Sequence, residues 1–366
     1  MSFEVEPHRL ERAGGDLESM AGAMPAVAAY LETHLTLPQG GTAFDLVRDK
    51  TEYVRTTLGD VYGATGSMTR YLTSAGSALV GTARDYREVD RDQWEHYDQL
   101  VTSTGERDEE TSFYDTSTGG ESLGVSRHDV TGMLREPTGT YMMEGWQAFQ
   151  DGLNYCLDLS IVVDALLSVP LFQTFPSASD RLLGDYRGDW LEVARACDAM
   201  TVIAEVADRV ANETTATSHH LFDGWSGRAA GLASDSLATF VHATWGHADD
   251  IRKYADGINN IVTSATAATD VLANAIDSII PLALELNGLD PADLAREVFG
   301  GGGRIARMVS QILQYLSWAG VALDLLFTLF TSLGALTFGQ MDRYRDLSLP
   351  IGDPVFRQSD VNGPMP

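Results

Sequence analysis

Lysine is almost missing from this 366-residue chain. Lys50 and Lys253 are the only two, so arginine supplies nearly all of the 25 cationic side chains set against 52 Asp and Glu. The preference for arginine over lysine reads as a codon or habitat bias of the source, while the excess of acid over base gives a net charge of −27. Nucleic acid and anionic membrane surfaces would repel such a chain, which argues against electrostatic binding to either. Cysteine is scarce too. Cys156 and Cys197 are too few for a disulfide framework, and no Cys-x-x-Cys spacing for zinc exists. Both sit among apolar residues, where two buried thiols are favoured over a single disulfide. The start, MSFEVEPHRLERAGGDLE, lacks the basic head and apolar core of a secretory signal peptide, so export would need another route. No alternating run is long enough to read as a β-strand. Catalytic signatures are missing as well: there is no Gly-x-Ser-x-Gly, no His-Glu-x-x-His and no Asp-rich calcium loop.

Hydrophobic residues nonetheless make up 44% of the chain, and at this length they can build roughly two domains with a sizeable core. Their spacing is helical. Leu10, Ala13, Leu17, Met20, Met24, Val27 and Leu31 recur by threes and fours, the seam of an antiparallel helix pair. Pro25 interrupts the run and predicts a kink. Leu37-Pro38-Gln39-Gly40-Gly41 supplies a turn, and a return helix is read through Val54, Leu58, Val61, Met68, Leu72, Ala75, Leu79 and Tyr86. The Ser-, Thr-, Gly- and acid-rich stretch over 101–140 predicts a disordered linker. Order resumes near Met142, with one helix or a broken pair reaching Pro170. A second hairpin follows: Trp190, Val193, Cys197, Met200, Ala204 and Ala207 on one helix, then Leu232, Leu237, Phe240, Val241, Trp245, Ile251, Ile258 and Ile261 on its return.

Asp290 and Pro291 read as the cap and first position of a further helix. The final element, Arg304 to Arg343, is the most apolar. Leu316 to Phe338 holds one charge, Asp324, and is long enough to cross a bilayer. A buried core helix is the reading taken, with Gln311, Gln314 and Asp324 near a polar edge, because an ionisable residue in mid-membrane is costly. The expected fold class is all-α. It comprises a hairpin over 1–100, a linker over 101–140, a hairpin domain over 141–288, a hydrophobic helical extension over 289–345 and a tail.

Two short features carry the functional reading. Trp225-Ser226-Gly227 stands in the turn between two amphipathic helices, where glycine permits the reversal and tryptophan offers a large ring with one N–H donor. Tyr86-Arg87-Glu88-Val89-Asp90 closes the first hairpin, and its spacing puts Tyr86 and Asp90 on one helix face, one turn apart. Singly, each has a plain explanation, an ordinary turn or a chance tyrosine–acid pair. As a pair in this helical context they resemble the type VII (ESX) secretion substrates of actinobacteria. Residues 1–98 look like the short N-terminal hairpin proteins of that system, in opening (Phe3, Val5, Pro7, Leu10) and in closing (Ala83, Tyr86, Asp90). The segment from about 170 to 290 is similar to the Trp-x-Gly hairpin family. Through Leu182-Leu183-Gly184-Asp185, Trp190 and Trp225-Ser226-Gly227-Arg228-Ala229-Ala230 it resembles the trafficking modules at the front of actinobacterial polymorphic toxins. The order of the two hairpins is similar to single-chain PE–PPE-like substrates, over about two thirds of the chain.

The resemblance implies a bipartite export signal in which Trp225, Gly227, Tyr86 and Asp90 form one composite surface, read by the secretion system's membrane ATPase. It also implies a secreted or cell-surface protein with a cytoplasmic stage, no catalysis, no cofactor and no metal. Its partners would be that ATPase, a dedicated chaperone, and either a second copy or a co-encoded protein. The chain departs from the family in lacking a Pro-Pro-Glu opening, in its long linker, in its last hydrophobic helix, and in ending soon after a toxin-type module. Two alternatives stay open: a membrane-inserting or pore-forming effector acting through 305–340, and a toxin-derived protein lacking its enzymatic domain. The absence of a basic polar face argues against interfacial binding. Other chemistry is poorly supported. His219-His220 reads as a solvated pair beside the turn, and the five-residue spacing of His242 and His247 puts them on different faces. Gly300-Gly301-Gly302-Gly303-Arg304 lacks the lysine of a phosphate loop and reads as a hinge.

Overall fold

The computed structural model describes residues 6–59, 63–104, 130–138, 143–168, 177–289, 303–335 and 344, and within these all side chains except those of 90–104, 143, 178, 228, 334 and 335. The described residues form an all-α fold. Its helices are α1 (Pro7–His34), α2 (Thr42–Gly59), α3 (Ala64–Thr104), α4 (Met143–Leu166), α5 (Ala178–Tyr186), α6 (Trp190–Phe222), α7 (Arg228–Asn287) and α8 (Arg304–Thr331), with 3-10 turns at Thr131–Met133 and Ser332–Ala335.

The seven seam positions of α1 are all buried, as their spacing predicts. The helix does not break at Pro25; the buried Ala21, Met24 and Val27 around it keep the backbone helical, so the missing amide costs one hydrogen bond and not the element. α1 pairs antiparallel with α3, and Gly14 and Gly76 let the two backbones touch. A Cβ on Gly14 would stand 2.7 Å from the Gly76 carbonyl oxygen, and one on Gly76 the same distance from that of Gly14.

The single return helix expected from Val54 to Tyr86 is instead two helices, α2 and α3, and Val61 lies outside the described residues. Turn formers flank the break, Gly59 and Gly63, which the apolar stripe outweighed in the sequence. α2 leaves the seam because Phe44 is wedged between Gly40 and Gly188, where a Cβ on either glycine would strike its ring. The linker expectation also needs correction at both ends. α3 continues to Thr104, and residues 130–138 are docked: Val130 and Pro137 are buried, the Tyr30 hydroxyl donates to the Arg135 carbonyl (2.9 Å), and Arg135 pairs with Glu205. Val130, Met133, Leu134 and Pro137 are few among many polar residues, so composition hid them. Residues 105–129 lie outside the described ones, as do Asp290 and Pro291.

α7 is the spine. Its 60 residues extend about 90 Å at 1.5 Å per residue. The N-terminal half runs antiparallel to α6, with Arg252 paired to Asp208, and these two helices join α1 and α3 in a four-helix bundle. The C-terminal half packs on α4 and α8. At the foot of the bundle Trp190 is fully buried among rings from three other helices: Phe44 (5.2 Å between centroids), Phe149 (5.2 Å), Trp146 (6.5 Å) and Phe330 (4.7 Å). Its indole N–H donates to the Tyr186 carbonyl at 3.0 Å. α5, which the sequence reading passed over, supplies that carbonyl; Ser177 caps it by accepting from the Asp180 amide at 3.0 Å.

α7 and α8 are the two described helices long and apolar enough to cross a membrane by length and composition. α8 buries Ile305, Met308, Ile312, Ala319, Ala322, Leu323, Leu326 and Phe330. Gln311, Gln314 and Asp324 are exposed, the polar edge of a core helix, and Asp324 pairs with Arg181 at 2.8 Å. Three large apolar side chains share that edge, which a simple core helix does not account for.

Candidate functional site

The α6–α7 reversal is built from backbone geometry more than from side-chain volume. The Asp223 amide returns to the His219 carbonyl (3.2 Å) and the Gly224 amide to that of Leu221 (3.3 Å), closing the last turn of α6. Gly227 then takes φ 115° and ψ −173° and serves as the N-cap of α7. A Cβ is strained in that conformation, so the glycine of the motif is a requirement of the turn. Trp225 points inward. It is 2% exposed and stacks on Phe222, centroids 6.0 Å apart and planes 15° apart. Its indole N–H finds no acceptor among the described residues.

The start of α1 is fastened to this turn. The Glu6 amide donates to the Gly224 carbonyl (3.0 Å), and the Arg9 guanidinium bridges the Glu6 carboxylate (2.6 Å) and the His220 carbonyl (3.2 Å). Gly224 permits the approach, since a Cβ there would lie 2.8 Å from Arg9 Cδ. One and a half turns along α1, Glu11 pairs with Arg87 of α3 at 2.8 Å. The neighbouring Tyr86 is half-buried against the core. Five residues of helix, about 8 Å of rise, separate Glu6 from Glu11, so Tyr86 and the Trp-x-Gly turn occupy the same end of the bundle. The register of α3 against α7 agrees. Tyr71 stacks on Phe240 (4.4 Å, 3°) and bonds Ser236 (2.7 Å), while Ala78 and Leu79, farther along α3, line one small pocket with Ala233, closer to the turn.

Of the four expected signal residues, Trp225 and Gly227 sit in one turn and Tyr86 lies toward the same end of the bundle, with Trp225 buried and not presented. Asp90 lies on α3 one turn beyond Tyr86, and its side chain is outside the described residues. The sequence reading missed Glu6, Arg9, Glu11 and Gly224. Only the three-residue spacing of Glu6 and Arg9 hinted at them, and nothing local showed what they grip.

Other chemistry is accounted for differently. Cys156 and Cys197 are free and buried. Burial, helped by Asp270 near the first and by Asp198 and Asp256 near the second, pushes both thiols up to about 12; a thiol that keeps its proton is a poor nucleophile. His219 and His220 are exposed, whereas His242 is exposed and His247 buried, so the latter two do face apart. Among the described residues no group of three His, Cys, Asp or Glu could hold a metal ion. No protein-family model matches the chain, and neither a curated protein nor a solved structure matches it.

Proposed function

We propose that this chain is a type VII secretion substrate or partner protein that carries both halves of its export signal, with a structural or trafficking role and no catalysis. The observation that carries the proposal is the Glu6–Gly224 backbone bond taken with the Glu11–Arg87 pair. These tie the closing end of the first hairpin and the Trp-x-Gly turn of the second to the same stretch of α1. The chain thus pairs within itself what hairpin proteins of this kind pair between two chains. In this reading Tyr86 and Asp90 present the recognised surface, and Gly227 and the buried Trp225 set its shape. The partners are the secretion ATPase, a chaperone, and a second copy or a co-encoded protein.

The test is an immunoblot of culture filtrate against lysate in the native host. It compares wild type with Asp90→Asn, which removes a charge at nearly constant volume, and with a strain lacking the secretion ATPase. The expected result is wild type in the filtrate and both perturbations trapped inside. Retention of wild type in the cytosol, or export without the ATPase, would end the proposal. Tyr86→Ala is a weaker test, because truncating a half-buried aromatic costs about 1–3 kcal/mol and can mimic an export defect by unfolding.

A further inference from the structure

Three seams of the four-helix bundle are closed and the fourth is not. α1 packs closely on α3 and on α6, and α6 on α7, whereas the backbones of α3 and α7 stand apart. Tyr71 and Phe240 stack across that gap. Beside the stack, on the side of the Trp-x-Gly turn, the facing side chains are too short to fill it. They leave a crevice between Ala75, Ala78 and Leu79 of α3 and Ala233, Ser236 and Leu237 of α7. Ala78 and Ser236 are half-buried, forming its rim, and the other four are buried. The Ser236 hydroxyl is already bonded to Tyr71, so the crevice offers an occupant apolar contact and nothing to receive a charge.

The chain brings one of its own segments to this crevice. Phe330, near the end of α8, meets Trp190 at the foot. Tyr344 stands higher. It is buried against Phe240 (centroids 6.3 Å apart) and edge-on to His247 (5.5 Å, planes at 73°), and both lie nearer the turn than the Arg252–Asp208 pair. From Phe330 to Tyr344 the chain therefore advances along α7 toward the turn. Ala233, Leu237, Phe240, Thr244 and His247 recur by threes and fours, so Tyr344 and the crevice share one stripe of α7.

The next residues, 345–351, lie outside the described ones and read Arg-Asp-Leu-Ser-Leu-Pro-Ile. Leu347, Leu349 and Ile351 alternate with Asp346, Ser348 and Pro350. Pro350 disfavours helix at itself and at the residue before it, which suits an extended chain with one apolar face. At 1.5 Å per helical residue, Leu237 lies about 10 Å and Ala233 about 16 Å beyond the level of Tyr344. Extended residues of about 3.3 Å each cover those distances in about three and about five steps, the positions of Leu347 and Leu349. Tethered at Tyr344, the segment meets the crevice at an effective concentration on the order of millimolar. We propose that the α3–α7 crevice is the docking site of this chain's own residues 345–351, with Leu347 and Leu349 entering it and strapping the open seam of the bundle.

The experiment uses the purified full chain with no secretion component, so its outcome is separate from that of the export proposal. Ala78→Cys is combined with Leu349→Cys and, as the control for tethering alone, with Ser359→Cys. A disulfide needs Cα atoms within about 7 Å. Mild oxidation should therefore link 78 to 349 within one chain, and 78 to 359 roughly tenfold less, read by mass spectrometry of the linked peptides. A second arm leaves the helices untouched and decides if Ala78→Cys disturbs the circular dichroism. Leu347→Ser with Leu349→Ser should speed trypsin cleavage after Arg345 by roughly tenfold, with cleavage after Arg357 unchanged. The proposal falls if 359 links as readily as 349, or if cleavage after Arg345 is as fast in wild type as in the double variant. It falls too if the 78–349 bond joins two chains, because the crevice would then belong to a second copy.

Discussion

Trp190 and Trp225 are both buried, yet they hold their surroundings by different means. Trp190 has four aromatic neighbours and a satisfied indole N–H, and the foot of the molecule is organised around its volume. Trp225 has one stacking partner and an N–H with no acceptor among the described residues. Its end of the bundle is held by backbone bonds, by the Glu6–Arg9 clamp, and by Gly227, whose positive φ no larger residue adopts without strain. One end is fixed by packing and the other by chain geometry, so the two should fail under different substitutions.

The sharpest break is Trp190→Ala. Emptying the centre of that cluster should cost about 3–5 kcal/mol, read from the denaturant midpoint at unchanged slope. Raising the pH should loosen the molecule next, through groups spread along it away from the turn. Burial pushes the Tyr71 hydroxyl up to about 12 from 10.0, and both thiols up to about 12 from 9.0. Above the unfolded values the folded chain holds protons that the unfolded chain has released. Stability is therefore full below about pH 9 and falls from there toward pH 12; thermal midpoints across that range, with tyrosinate absorbance beside them, should show it. A flat profile would mean that these groups are already solvated. At the turn end, Gly227→Ala should cost about 1–3 kcal/mol through backbone strain alone. Gly76→Ala, which forces α1 and α3 apart, should be of similar size. Helix content by circular dichroism should hold in both while the thermal midpoint drops. Smallest is Arg87→Ala. Its pair with Glu11 is solvent-exposed (52% and 38%), so stability should move by no more than about 1 kcal/mol. A larger loss would place that pair among the contacts that hold the bundle end.

The contrast also explains what could be read in advance. Long seams are legible because burial repeats along them: the α1 stripe, the α6 stripe and most of the α7 stripe are core. Leu232 is exposed and Trp245 half-buried, since α7 changes neighbours along its length and no single stripe serves them all. The break between α2 and α3 was hidden because both helices carry apolar residues in compatible phase. What sends α2 elsewhere is Phe44 finding a slot beside Gly188, over a hundred residues away. At the candidate site, Gly227 and Trp225 were legible as a turn. That Trp225 would face inward, and that residues 6–9 would clamp the turn, depended on contacts between segments more than two hundred residues apart. No local pattern encodes such contacts.

That separation bears on the order in which the chain can finish folding. The Arg9–His220 bond spans 211 residues, and Tyr71 reaches Ser236 across 165. Contacts this distant close late, after the local hairpins have formed. During synthesis α1 leaves the ribosome well before the turn it will grip exists. A chain truncated between the end of α3 and residue 224 holds both helices of the first hairpin, but not the turn that completes the bundle end. In the proposed reading, then, the end where α1 meets the turn doubles as a certificate of length: it is completed only in chains that have been made and folded past their second reversal.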